Sequence, residues 1–191
     1  MLPDLPPPPV LIEPLPYEER LDPRPLSRID LVVIHCTEVP TLALSREYGE
    51  RILYAGSQTG NSGHYYIDRD GTVVMYVRPE RIANHVRGYN TRSVGIELVN
   101  TGRYPYWRDS KHQAMSEPYP QAQIDALIAL LKQLQRELPD LRFIAGHEDL
   151  DRERETAFDD PNILVARKLD PGPLFPWPEV MRQVKLERLE P

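Results

Sequence analysis

Ile29-Asp30-Leu31-Val32-Val33-Ile34, followed at once by His35, is the stretch that decides the fold. Its apolar, mostly β-branched run has no polar alternation, which predicts a strand covered on both faces. It delivers His35 at its C-terminal end. Two later runs have the same character. Ser93 to Val99 (Ser-Val-Gly-Ile-Glu-Leu-Val) carries a single acid, Glu97, and Leu141 to Ala145 (Leu-Arg-Phe-Ile-Ala) leads through Gly146 into His147. Between them, Gln121 to Leu138 places Ile124, Leu127, Ile128, Leu131, Leu134 and Leu138 on one helical stripe, and Pro139-Asp140 ends it. Leu44, Tyr48 and Ile52 predict a helix over 42–53, and Asp70-Gly71 joins strands at 64–68 and 72–77 as a hairpin. Strand–helix–strand order of this kind predicts an α/β fold, a mixed central β-sheet flanked by α-helices in a single domain.

At 191 residues the chain suits one domain with short extensions. Residues 1–29 are rich in proline, with Pro6 to Pro9 in a row, and read as an arm in extended geometry; 30–180 form the domain and 181–191 a tail. The 29 acidic residues outnumber 23 basic ones, for a net charge of -6 without a basic cluster, which argues against nucleic acid or an anionic membrane as partner. Cys36 is the single cysteine, so an internal disulfide and a thiolate metal knuckle are both excluded. No apolar run has the length of a membrane span, and Met1 to Pro6 lacks the pattern of a secretory leader. The expectation is a cytoplasmic monomer, or a periplasmic one if a leader has been removed.

Open α/β sheets place their chemistry beyond the C-terminal ends of strands, where His35 and His147 fall. Later, Arg167-Lys168-Leu169-Asp170-Pro171-Gly172-Pro173 sets a carboxylate before a rigid Pro-Gly-Pro corner that would hold Asp170 in one orientation. Two histidines and an aspartate suit a catalytic Zn2+, which takes three protein ligands and keeps one open position. The plainer alternative is that each is a hydrogen-bonded structural residue. Glu97 lies inside an apolar pattern, where a carboxylate needs either a partner, such as Arg92, or a task. As a task, burial would raise its pKa into the range of a general acid/base. Lys168 precedes Asp170 by two, so an extended segment turns both to one side, where the ammonium could stabilise an oxyanion; alone it reads as a solvated lysine. Cys36 offers a rival nucleophile, but it follows His35 on a strand and so faces away from it. His64 reads as a packed, hydrogen-bonded histidine and His112 as exposed. Tyr104, Tyr106 and Trp107 could stack on a sugar or cover a sheet edge.

Taken together, Val32-Val33-Ile34-His35, Gly63 to Gly71 (Gly-His-Tyr-Tyr-Ile-Asp-Arg-Asp-Gly), Asn84-His85, Ser93 to Asn100, Ala145-Gly146-His147 and Arg167 to Pro173 resemble the zinc-dependent N-acetylmuramoyl-L-alanine amidases, with muropeptide-recycling amidases, phage amidases and peptidoglycan-recognition proteins as kin. The resemblance implies one zinc held by His35, His147 and Asp170. It also implies Glu97 as catalytic acid/base, Lys168 at the oxyanion position, and His85, Asn100 and Arg167 near the substrate, a peptidoglycan fragment cleaved between the muramyl lactyl group and L-alanine. A non-catalytic peptidoglycan-binding module is the alternative. Three departures stand out: Cys36 where asparagine is usual, Asn84 where tryptophan is usual, and a lengthened acidic segment over 151–166 expected to loop out beside the cleft.

Overall fold

The computed structural model describes residues 9–190. Strands β1 (Val10–Ile12), β2 (Leu31–Cys36), β3 (Tyr65–Ile67), β4 (Val73–Met75), β5 (Ser93–Leu98), β6 (Phe143–Gly146) and β9 (Glu187–Arg188) form one seven-stranded sheet in the order β1-β4-β3-β5-β2-β6-β9. β3 and β4 are antiparallel, while every other pairing in it is parallel, so the sheet is mixed. The helices are α1 (Leu42–Gly49), α2 (Gln121–Glu137), the single turn α3 (His147–Leu150) and α4 (Trp177–Gln183). Segment 151–166 folds back on itself as a two-stranded hairpin, β7 (Arg154–Thr156) with β8 (Leu164–Ala166). No helix among the described residues is long and apolar enough to cross a membrane.

Residue alternation divides the sheet into two faces. Val32, Ile34, Val94, Ile96, Leu98 and Ile144 pack with Ile124, Leu127, Leu130, Leu131 and Leu134 of α2 and Val180 of α4 in the main core. Leu31, Val33 and Ala145 face the other way, under Val86 and beside Phe143. His35 continues the second series, as do Ser93, Gly95 and Glu97 on β5. The buried strands thus carry a fully apolar face toward α2, and toward the opposite side a face that becomes polar at its C-terminal end.

Helix α1 stops at Gly49, short of the expected 53, because Ile52 and Leu53 are exposed and no apolar stripe continues past the glycine. Its N-terminus is capped by Thr41, whose Oγ1 accepts from the Leu44 N–H at 3.1 Å. From Val10 onward the expected arm is knit into the domain. β1 lies on the sheet edge, where proline-flanked segments are tolerated, and Leu15, Tyr17 and Leu21 are buried against Tyr66, Val74 and Tyr76. The row of prolines ahead of it lies outside the described residues, apart from Pro9. At the other end, β9 draws the expected tail onto the sheet beside β6.

His64 is a buried histidine whose protonation state the fold dictates. Its Nδ1 accepts from the Gly95 N–H at 3.0 Å, which leaves the proton of the neutral ring on Nε2, an atom 3.0 Å from the Arg81 carbonyl and 2.9 Å from the Arg24 guanidinium. Burial, reinforced by the Arg24 guanidinium, pushes its pKa down to about 3. Between that value and the ~6.5 of an unfolded histidine, the unfolded chain binds the extra proton and stability falls as pH falls, by about 1.4 kcal/mol per pH unit. Urea unfolding between pH 7 and 5 should show this acid loss, and His64→Asn should have a shallower slope. Equal slopes in the two proteins would exclude His64 as a source.

Candidate metal centre and cleft

Three parallel neighbours bring the site together. β2 lies between β5 and β6, with His35 opposite Glu97 in register, and His147 opens α3 directly after β6. Asp170 arrives from the far end of the chain through a cis Asp170–Pro171 bond. Its carbonyl accepts from the Glu148 N–H at 2.9 Å, and the Pro171 carbonyl accepts from the Tyr119 hydroxyl at 2.6 Å. Gly172 has φ +85° and a hypothetical Cβ there would lie 2.8 Å from Met115 Sδ, so the corner requires glycine.

Asp170 Oδ2 stands 2.9 Å from His35 Nδ1 and 3.1 Å from His147 Nδ1. One donor atom from each of the three residues falls within 4.8 Å of the others, and all three side chains are buried. Asp170 Oδ1 has no hydrogen-bond partner, an expensive condition for a buried carboxylate oxygen. A carboxylate with one oxygen set between two imidazole nitrogens and the other unpaired is a donor set that fits a divalent cation of the zinc type. Burial raises the Asp170 carboxyl, but His147 and His35 outweigh it and hold the group well below the carboxylate range. Burial in turn lowers His35 to about 4, so its imidazole is neutral and able to ligate.

Glu97 Oε1 is 4.0 Å from His35 Nδ1 and its side chain is 14% exposed. Burial first, then the Asp170 charge, raises its pKa to about 8, with Lys168 opposing. Arg92, the alternative partner, is at the other end of β5 and paired to Asp30. A carboxyl that can hold or release a proton near neutrality thus sits next to the three-residue cluster.

A cleft of about 770 Å³, within the range of small-molecule sites, opens over this cluster. Lys168 and Arg167 line it, together with Trp107, Tyr48, Arg87 and Arg108, and Arg167 is ion-paired to Asp151 and Glu153. Two of the expected substrate contacts do not have atoms to spare. Asn100 is 2% exposed; its Nδ2 donates to the Glu117 carbonyl and its Oδ1 accepts from the Gly102 N–H, so it shapes a turn. His85 borders the cleft, but its ring nitrogens face His35 Nε2 and Ser93 Oγ. Cys36 faces the α2 side with Tyr119 beside its thiol, and burial raises that thiol well above its ordinary value, the opposite of an activated nucleophile. His112 is exposed and pairs with Asp109.

Arg103 is the residue that sequence reasoning passed over. Buried to 1%, it holds Glu38 with two charge-assisted hydrogen bonds of 2.7 and 2.9 Å and donates to the Ala166 and Arg167 carbonyls. It therefore ties the loop after β2 to the segment that carries Lys168 and Asp170. The partners are 65 positions apart, so no local spacing announces them. Arg103→Ala should strand the Glu38 carboxylate and destabilise the fold by about 3–5 kcal/mol; a urea midpoint equivalent to less than about 1 kcal/mol would exclude this bracing role. Trp107 adds to the same wall, its Nε1–H donating to the Glu38 carbonyl at 3.0 Å.

The family profile described as N-acetylmuramoyl-L-alanine amidase matches residues 25–173. The chain is 37% identical over 94 residues to the amidase AmiD of Escherichia coli, a match spanning 49% of this chain and 28% of that protein. It is 33% identical over 120 residues to the 1,6-anhydro-N-acetylmuramyl-L-alanine amidase AmpD of Enterobacter cloacae, spanning 58% and 50%. These matches thus cover half or less of the relatives' own length. Among solved structures, the complex of E. coli AmiD with anhydro-N-acetylmuramic acid-L-Ala-D-gamma-Glu-L-Lys superposes with a TM-score of 0.59 at 25% identity, covering 82% of this chain and 57% of that one. The amidase LysC from Clostridium intestinale shares the fold, with a TM-score of 0.65 at 19% identity over 94% of this chain and 99% of that one. Since the matched segment begins ahead of β2 and closes at Pro173, taking in His35, Glu97, His147, Lys168 and Asp170, the chain belongs to the N-acetylmuramoyl-L-alanine amidase family.

Proposed function

We propose that this protein is a zinc-dependent hydrolase that cleaves the amide between the lactyl group of muramic acid and L-alanine in soluble peptidoglycan fragments. The observation that carries the reading is the buried His35, His147, Asp170 cluster with Glu97 4.0 Å from one of its imidazoles at the floor of a cleft. His35, His147 and Asp170 would hold one zinc. When bound, zinc supplies a Lewis acid that polarises the scissile carbonyl and brings the pKa of a water toward about 7.

The remaining steps belong to the chain's own side chains. Glu97 takes the proton of the attacking water on its carboxylate and returns it to the departing alanine nitrogen, a task suited to a carboxyl whose pKa is raised to about 8. Lys168 presents its ammonium to the negative charge that develops on the carbonyl oxygen. Arg167, next to it on the cleft wall, is paired with Asp151 and Glu153, so it anchors the 151–166 segment there and has only its remaining N–H groups for a carboxylate of the peptide stem. Trp107 offers a face for the sugar. A non-catalytic binding module would have no use for a protonatable Glu97 beside the cation donors.

The 151–166 hairpin favours soluble fragments over polymeric wall. It is pinned to the loop that holds Trp107, with the Phe158 N–H donating to the Arg108 carbonyl and Ser110 bonded to Asp159. From the other side Glu153 pairs with Arg87, a cleft residue. It thus raises one wall of the cleft, and fragment recycling in the cytoplasm is the setting such a cleft fits. The test is release of an L-alanine-led peptide from anhydro-muropeptide and from insoluble sacculi, with and without chelator. The expected result is chelator-sensitive release, faster from the soluble substrate. Absence of turnover in zinc-loaded protein would refute the activity and leave the binding module.

A further inference from the structure

Four of the five histidines form a file through the domain. Ring centroids are 4.6 Å apart for His147 and His35, 5.1 Å for His35 and His85, and 5.5 Å for His85 and His64. The first two are candidate ligands, while His64 has its own proton fixed by Gly95 and Arg81. His85 is left between them with a hydrogen-bonding pattern that only one proton arrangement satisfies from end to end.

The arrangement follows from the ligand. If His35 gives its Nδ1 lone pair to a cation, its proton must be on Nε2. That atom lies 2.9 Å from His85 Nδ1, which then accepts, so the His85 proton is on Nε2. His85 Nε2 is 3.1 Å from Ser93 Oγ, which accepts in turn and directs its own hydrogen to the Tyr89 carbonyl at 2.9 Å. A carbonyl can only accept, so the series has a defined end. Run the opposite way, the Ser93 hydrogen is spent on His85 and two oxygens are left 2.9 Å apart with no proton between them. Space and anchorage for the relay come from two other residues. A Cβ at Gly95 would lie 2.6 Å from His85 Nδ1, and Asn90 Oδ1 accepts from the backbone N–H groups of His85 and Val86 at 3.0 and 2.8 Å.

We propose that His85 and Ser93 are positioning residues for His35, keeping its proton on Nε2 and its Nδ1 lone pair free for the cation it would share with His147 and Asp170. Partners of this kind orient a ligating imidazole and raise its basicity, and their loss commonly weakens metal binding 10–100-fold. The inference rests on the reading of the cluster as a zinc centre, and it removes His85 from the substrate contacts.

The test compares zinc affinity, by chelator competition, for the full chain and three variants, with no need for turnover. His85→Leu fills the space but cannot accept, and should weaken zinc binding roughly 10–100-fold. His85→Asn sets an amide oxygen near the Nδ1 position and should stay within about threefold of the wild type, although it is smaller. Ser93→Ala should lie between the two. If packing were the role of His85, the order would reverse, with leucine tolerated and asparagine damaging; that order, or a His85→Leu variant as tight as wild type, overturns the proposal. A wild-type chain that takes up no zinc overturns both this inference and the metal centre, whereas tight wild-type binding with unaffected variants overturns this inference alone. If the variants fail to fold, imidazole 15N spectra of the zinc-loaded wild type decide. His85 as the Nε2–H tautomer is expected, and an Nδ1–H signal overturns the relay.

Discussion

Glu97→Gln is expected to take up zinc as the wild type does and to hydrolyse muropeptide 10²–10⁴-fold more slowly. Glutamine has the volume and shape of glutamate, so the packing of Glu97 against Gly63, where a Cβ would lie only 2.8 Å from Glu97 Cγ, is preserved. What disappears is the exchangeable proton. The wild-type carboxyl is 4.0 Å from His35 Nδ1, and His35 is its only ion-pair partner among the described residues, so a structural salt bridge does not account for it. Initial rates of amine release at saturating substrate, together with a zinc titration, separate the two roles. Unchanged turnover in Glu97→Gln would reduce Glu97 to a buried polar residue. A loss of zinc equal to the loss of rate would place it among the ligands.

Asp170→Ala is expected to abolish activity by emptying the metal centre. Its carboxylate touches both imidazoles and no other residue described does so. Protein zinc sites bind with roughly 10–16 kcal/mol in total, so removing one of three ligands should cost about 3–5 kcal/mol, or 10²–10⁴-fold in affinity. Asp170→Asn retains the shape without the charge and should fall between. Chelator competition reads both directly. Asp170→Ala that holds zinc at wild-type affinity would mean that another group supplies the third donor.

Much of this was legible in the residues themselves. The run over Leu31–Ile34 shows as a buried strand because it is apolar over its whole length, Ser93–Leu98 shows because Val94, Ile96 and Leu98 outweigh a single acid, and α2 shows because its leucines repeat with the helical period. The alternation that puts His35 opposite Cys36 in direction also follows from strand geometry. The sheet edges were not legible. Val10–Ile12 lies among prolines and Glu187–Arg188 is two charged residues, so each is a strand only because a neighbour's backbone is available. The 151–166 hairpin is held largely by contacts to residues 101–113, which no local pattern reveals. His85 and Asn100 were placed near substrate by resemblance alone. The register of β5, with Gly95 leaving a gap at the sheet surface, sets His85 at the border of the cleft with its Nδ1 2.9 Å from His35.

The zinc K-edge absorption spectrum of the loaded protein tests the central claim most directly, because it counts ligands without reference to turnover. One zinc per chain is expected, with only nitrogen and oxygen neighbours at about 2.0–2.2 Å, two of them imidazoles. A sulfur neighbour at about 2.3 Å, which Cys36 alone among cysteines could supply, or fewer than two imidazoles, would contradict it.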